Sequence, residues 1–167
     1  GLYKTLPNGE KMLCYGGDFN DHPNSGQFVF NGTILSDRTP EPGYFEVKHV
    51  YQNISTSLTD DGRISIFNKN FFTDLSPYDI TWTLTENGNV VAEGRLDTPP
   101  AGPREKIVVP IPDIPQLKNR KPGVEYALRI SYKLKKDRGW AKKGYELAFD
   151  QLQLPVQGDL PVFKAPA

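Results

Sequence analysis

Carboxylates are the first residues to weigh. Asp18 and Asp21 lie close together in a stretch crowded with Gly, Asn and Pro, and Asp60 stands beside Asp61. Two neighbouring carboxylates can share hydrolytic work, one as acid and one as base or nucleophile. Asp60-Asp61-Gly62 reads more simply as a turn, since Asp bonds its own backbone and Gly accepts positive φ. Asp18 and Asp21 stay open between a functional pair and plain loop capping. His22 and His49 are too far apart in sequence to form a metal motif. Cys14, the sole cysteine, sits between Leu13 and Tyr15, which favours a buried, inert thiol over a nucleophile. Gly16-Gly17 lacks the spacing of a phosphate loop. Asn31-Gly-Thr33 and Asn53-Ile-Ser55 are glycosylation sequons, triplets that also arise by chance. Lys133, Lys135, Lys136, Arg138, Lys142 and Lys143 form a basic stretch. Apolar residues alternate with it, so it reads as a solvated strand face and turn rather than a nucleic-acid patch.

Composition narrows the classes. The 167 residues suggest one domain, or one with an appendage. Lys+Arg and Asp+Glu both total 20, so no net field steers the chain to nucleic acid or to an anionic membrane. Mean hydropathy is -0.53, and no apolar run is long enough to span a bilayer. The 9 Phe, 8 Tyr and 2 Trp can still fill a core. One Cys excludes an internal disulfide framework and a cysteine-based zinc site. The chain opens Gly1-Leu2-Tyr3 without an initiator Met, which reads as an excised piece of a longer protein.

The elements that must position these residues emerge from periodicity. From about Asn53 onward the period is two. Ile80, Trp82 and Leu84 alternate with Asp79, Thr81, Thr83 and Thr85. Val124, Tyr126, Leu128, Ile130, Tyr132 and Leu134 alternate with Glu125, Arg129, Ser131, Lys133 and Lys135. Successive strand side chains point to opposite faces, so each run has a buried and a wet face. Trp82 falls on an apolar face and belongs to the core; Trp140, near a turn, is a candidate for exposure. Asp60-Asp61-Gly62 and Asn87-Gly88 are turn signals. They predict strands near 52–58, 63–69, 78–86, 89–96, 105–111, 123–135 and 144–154, with 112–122 a long connection. Seven short strands at this spacing predict an all-β immunoglobulin- or fibronectin-like sandwich.

The first 50 residues break the pattern. Residues 16–26 read as an irregular loop of the kind that often carries function. Short apolar pieces stand at Met12–Tyr15 and Phe28–Phe30. Tyr44, Val47, Lys48 and Tyr51 then recur at helical spacing after Pro40-Glu41-Pro42, and Glu41 and Glu46 suit a helix start. The expected organisation is therefore a loop-and-helix arm over 1–50, a sandwich over 51–155, and a linker over 156–167.

One stretch carries a resemblance. Tyr15-Gly-Gly-Asp-Phe-Asn-Asp-His-Pro-Asn-Ser-Gly-Gln-Phe-Val-Phe-Asn-Gly-Thr-Ile-Leu-Ser-Asp-Arg-Thr-Pro-Glu-Pro42 resembles the region after the last barrel strand of bacterial β-galactosidases of glycoside hydrolase family 2. A helix containing Glu-x-Lys comes next in that family, and Glu46-Val-Lys48 fills the slot. The later residues resemble the family's linking sandwich, with Trp140, Gly144, Ala148 and Gln151 matching its late signature. Two positions depart: Asn20 stands where the family has Gly, and Ser25-Gly26 replaces an Asp-x-Arg portion.

The resemblance implies a non-catalytic fragment of a retaining enzyme that hydrolyses terminal β-galactosides. Both catalytic Glu residues lie upstream, so no catalytic residue is expected in this chain. Asp18, Phe28 and Asn31 would support the substrate site. Phe28, through its carbonyl, and Asn31, through its side chain, would bind sodium in the parent enzyme, and Asn24 would lie near a second magnesium there. No cofactor is expected in the fragment itself. The implied partners are the remaining domains of the parent and its galactoside, with no nucleic acid and no membrane. The compartment, cytoplasmic or periplasmic, stays open. The alternative is a stand-alone carbohydrate-binding or adhesion sandwich, which would present exposed aromatics.

Overall fold

The computed structural model describes residues 2–28, 31–97 and 100–158. The chain divides into two compact units, Gly1–Tyr51 and Gln52–Ala167.

Among its described residues the second unit is a sandwich of seven antiparallel strands. Among the described residues the nine strands, in chain order, are β1 Leu2–Thr5, β2 Lys11–Cys14, β3 Ile54–Leu58, β4 Ile64–Asn68, β5 Tyr78–Glu86, β6 Asn89–Arg95, β7 Lys106–Val109, β8 Tyr126–Leu134 and β9 Glu146–Gln153. One sheet runs β3-β4-β7 and the other β6-β5-β8-β9. This is the all-β architecture that the alternation predicts, and all seven expected strands are present. The register sets Ile80 opposite Tyr132, Trp82 opposite Ile130 and Leu84 opposite Leu128. These residues join Ile54, Ile64, Ile66, Leu152 and Leu154 in one hydrophobic core. Asn87 and Gly88, at φ 46 and 81, make the tight turn between β5 and β6.

Burial departs from simple alternation on β8. Ala127 and Ser131 belong to its outward set, yet both are buried. For Ser131 the cause is a polar cover on that face. Arg129 donates two bonds to Glu146, each 2.8 Å, and Ser131 donates to the same carboxylate at 2.7 Å. The guanidinium also stacks 4.1 Å from the Phe149 ring centroid. Burial pushes the Glu146 carboxyl up, but its bonds to Arg129 and Ser131 outweigh that and hold it below its ordinary value. Trp82 is half-buried and packs against the core, its Nε1 donating to the Arg95 carbonyl at 3.0 Å.

Between the sheets, β3 and β9 meet without a ladder, and side chains satisfy their backbone instead. Gln52 Oε1 accepts the Phe149 N–H at 3.0 Å, and Gln52 Nε2 donates to Asp150 Oδ1 at 3.0 Å. Nearby, the hydroxyls of Thr56 and fully buried Tyr132 lie 2.6 Å apart. Burial raises the Tyr132 phenol well above its ordinary value.

The strands alternate in direction, so the sandwich has two distinct ends. At the entrance end β3 begins, the β4–β5 and β6–β7 connections turn, and the β8–β9 hairpin closes. At the exit end β9 finishes. There a short helix, α2 (Pro115–Lys118), occupies the connection over 112–122, where the sequence predicts no element. A single helical turn opened by Pro is too short to leave a periodic signal.

The first unit departs further from expectation. β1 and β2 pair as a hairpin, Leu2 opposite Cys14 and Thr5 opposite Lys11. Its helix, α1, spans Pro42–Val50, with Pro42 in the first turn and Glu41 as N-cap. Glu46 lies beyond the first turn, which holds no acidic residue, while Lys48 and His49 occupy the last. Of the expected linker, only Val156 to Gly158 lie within the described residues, where Gly123 N–H donates to the Gln157 carbonyl at 2.8 Å. The remainder, and Phe30 of the apolar piece, lie outside them.

Candidate functional site

The residues singled out for chemistry sit in the first unit. The β1–β2 hairpin turns through Asn8 and Gly9, the latter at φ 87, and delivers the chain to Tyr15. From Gly16 to Gly26 the backbone closes on itself, with Gly16 N–H donating to the Gly26 carbonyl at 2.9 Å. Three short polar side chains stitch the loop. Asp18 Oδ2 accepts the Tyr15 N–H at 2.9 Å, and Asp21 Oδ1 accepts the Gly17 N–H at 3.0 Å. Asn24 Oδ1 accepts the Gly26 N–H at 3.0 Å, while its Nδ2 donates to the Asp21 carbonyl at 2.7 Å. Lys4 Nζ donates to the Asp18 carbonyl and lies 4.7 Å from the Phe19 ring centroid. The segment is therefore a closed, internally bonded loop and not a structureless one.

That closure explains the Gly-Gly pair. A Cβ on Gly16 would stand 2.9 Å from the Gly26 nitrogen, and Gly17 holds φ 98. It also accounts for Asn20, which takes φ 59 where the resembling family has Gly. Asn is among the few other residues that tolerate this region.

A second turn comes after it. Leu35 N–H donates to the Thr39 carbonyl, and Arg38 N–H to that of Leu35, both at 2.9 Å. Asp37 Oδ1 accepts the Thr39 N–H at 2.9 Å, which holds the Asp37 carboxyl below its ordinary value. The Asp-Arg-Thr-Pro motif is thus a tight reversal that leads into α1.

The structure places Phe28 and Asn31 on solvent-facing backbone. Phe28 is 79 % exposed and Asn31 is also exposed; residues 29 and 30 between them are not described. A hard cation takes six or more oxygens, and a carbonyl plus an amide supply two. Among the described residues no group of three or more His, Cys, Asp or Glu gathers where a metal could sit. Cys14 is buried, with Sγ 3.4 Å from the Met12 carbonyl, as expected of an inert thiol. His22 Nδ1 lies 3.5 Å from the Asn24 amide.

The first unit has little core of its own. Cys14 is its one buried hydrophobic residue among those described, whereas Phe45, Val47, Val50 and Tyr51 all lie exposed on or just after α1. Exposed apolar surface of this kind marks an interaction face.

Comparison with known proteins accounts for both units. Residues 1–56 match the family model described as "Glycosyl hydrolases family 2, TIM barrel domain". Residues 64–155 match the model described as "Beta-galactosidase, domain 4", more than half of the chain. The chain belongs to the family 2 β-galactosidases. Among similar family members, the β-galactosidase of Priestia megaterium is 37% identical over 98% of this chain and 16% of its own length. That of Clostridium acetobutylicum is 35% identical over 95% of this chain and 17% of its own. That of Streptococcus thermophilus is 34% identical over 99% and 16%. The chain thus spans about one sixth of the length of these family 2 relatives.

Proposed function

We propose that this chain is a non-catalytic part of a family 2 β-galactosidase that hydrolyses terminal β-galactosides with retention. The carrying observation is that barrel-type and sandwich-type matches succeed one another along a chain spanning a sixth of its relatives. The first unit contributes a loop and helix to the barrel; the sandwich joins that barrel to the next domain of the enzyme. Its strand order supports the spacer role, since the chain enters at one end and leaves at the other. The acid/base and nucleophile Glu residues belong to the remainder of the enzyme.

In the intact enzyme we assign Asp18, Phe28 and Asn31 to support of the galactose site. Asp18 shapes the closed loop through its bond to Tyr15. Phe28 and Asn31 offer a carbonyl and an amide oxygen three residues apart, suited to sodium once other oxygens converge. When bound, sodium would contact the 6-hydroxyl of the sugar. Asn24 is the proposed neighbour of a second magnesium; its amide oxygen accepts only the Gly26 N–H among the bonds described, leaving a lone pair. The exposed Trp140 would suit a stand-alone binding module, but family matches across both units favour the enzyme reading.

Two measurements test this. The 167-residue chain should give no turnover of a chromogenic β-galactoside above a buffer blank; turnover surviving repurification overturns the non-catalytic assignment. Sodium titration of the full-length enzyme should show a raised KM and weaker sodium dependence for Asn31→Ala. Identical activation curves would remove Asn31 from the sodium site.

A further inference from the structure

The connection from β4 to β5 displays two aromatic side chains to water. Phe71 is 67% exposed and Phe72 97%. A mobile loop could fold such side chains back onto the protein, but this loop is held on several sides. Asn68, fully buried, donates through Nδ2 to the carbonyls of Thr73 at 2.8 Å, Gly102 at 2.9 Å and Ala101 at 3.1 Å. Its Oδ1 accepts the backbone N–H and side-chain amide of Asn70, at 3.1 and 2.9 Å. Arg104 lies 5.0 Å from the Phe67 ring centroid and 4.7 Å from that of Phe71, and donates to the Lys69 carbonyl at 3.0 Å. Beyond the tip, Leu75 is buried and its N–H donates to the Ala101 carbonyl at 3.1 Å. The sequence thus uses a buried amide hub and a stacked guanidinium to fix the base of a tip whose Phe72 ring stands in water. Fixing a contact residue beforehand lowers the entropy cost of docking it.

The topology says what docks there. Ile54, the first residue of β3, pairs with Asn68, the last of β4, and Lys69 N–H donates to the Asn53 carbonyl at 2.9 Å. The tip therefore stands at the end where the chain enters the sandwich. The barrel-domain match runs to residue 56, so the barrel joins the sandwich at this end. Size points the same way. Two phenyl groups bury far less than the roughly 800 Å² per partner of a stable interface between separate molecules. A covalently tethered neighbour needs much less, because the tether supplies a high effective concentration.

We propose that the Phe71–Phe72 tip is a docking plug for the catalytic barrel of the same polypeptide, seated in an apolar depression on barrel residues outside this chain. This rests on the reading of the chain as part of a larger family 2 enzyme.

The test compares Phe72→Ser and Phe72→Lys in two settings. In the 167-residue chain both variants should keep the wild-type melting temperature within about 1 °C, since a residue in water contributes little to the sandwich. In the full-length enzyme, thermolysin cleavage at the joint near residues 51–53 should become at least about ten-fold faster. Equal cleavage of variant and wild-type full-length enzyme overturns the proposal. A fall in melting temperature of the short chain well beyond about 1 °C also overturns it, by making Phe72 part of the sandwich's own packing. Loss of quaternary structure by sedimentation, with joint cleavage unchanged, assigns the tip to a second copy and overturns it too. Galactoside turnover is measured separately: its absence in the wild-type enzyme would refute the functional reading without touching the cleavage result.

Discussion

Asp150 Oδ2 lies 2.6 Å from the backbone nitrogen of Thr56, a residue of the opposite sheet. Asp150 stands opposite Ile130 on β9, in the inward-facing register, where an apolar side chain would be the ordinary choice. Instead its carboxylate accepts the backbone of β3, and its other oxygen accepts Gln52. An inward charge on an edge strand caps hydrogen-bonding groups that would otherwise recruit another chain.

Asp150→Ala should therefore lower unfolding free energy by about 2–4 kcal/mol, because it orphans the Thr56 N–H and one Gln52 amide hydrogen. Urea denaturation followed by tryptophan fluorescence measures it. Asp150→Asn keeps one acceptor and should cost less. Equal costs for the two variants would mean that the carboxylate's two-sided bonding is unimportant.

The Arg129–Glu146 pair sets a pH dependence. The Glu146 carboxyl is lowered on folding from an ordinary value near 4.5, so folding favours its charged form. Its contribution is complete above that ordinary value and disappears as pH falls through the lowered folded value. Glu146→Gln should cost about 1–2 kcal/mol at pH 7, with the gap closing in acid. Melting temperatures of both proteins between pH 7 and pH 3 should converge; a constant gap would show that charge is not the origin.

Gly94→Ala should be poorly tolerated. A Cβ there would sit 2.6 Å from Trp82 Cζ2 and 2.8 Å from Cε2. The indole cannot slide away without losing its bond to the Arg95 carbonyl. The expected loss is about 1–3 kcal/mol. Relief by the double variant Gly94→Ala/Trp82→Leu would identify the clash as the cause.

Limited proteolysis of the 167-residue chain should cut first within residues 1–51, leaving a fragment that begins near Gln52. Cys14 is the one buried hydrophobic residue described in that unit, against the extended core of the sandwich, so local opening there is cheap. First cuts inside the sandwich would contradict this.

The sandwich is legible in the sequence because its signals are local and repeated. Ile80-Trp82-Leu84 and the alternation of Tyr126 to Leu134 report a half-buried sheet directly, and Asn87-Gly88 marks its hairpin. The β1–β2 hairpin carries the same Asn-Gly signal at Asn8-Gly9, but only four residues flank it on each side, too few for alternation to register. Ser131 escapes because its burial depends on Glu146, fifteen positions away. Asp18, Asp21 and Asn24 can be found by type but not by role, since their partners are backbone groups that a loop brings together only on folding. Asn68 offers no signal at all: one Asn in a strand looks like a defect until its carbonyl partners at 73, 101 and 102 converge.

The odd number of strands in the sandwich acts as a parity rule. Each strand reverses the chain, so seven passes deliver it to the face opposite its arrival, displaced by roughly the 25–30 Å of an eight- or nine-residue strand. Removing or adding one strand would send the chain back the way it came. Hairpins can be gained or lost only in pairs of strands, whereas turn lengths are free to drift. Engineers shortening this segment should expect excision of β5 and β6 together to preserve the direction of travel, and excision of β9 alone to reverse it, even where the remaining core still closes.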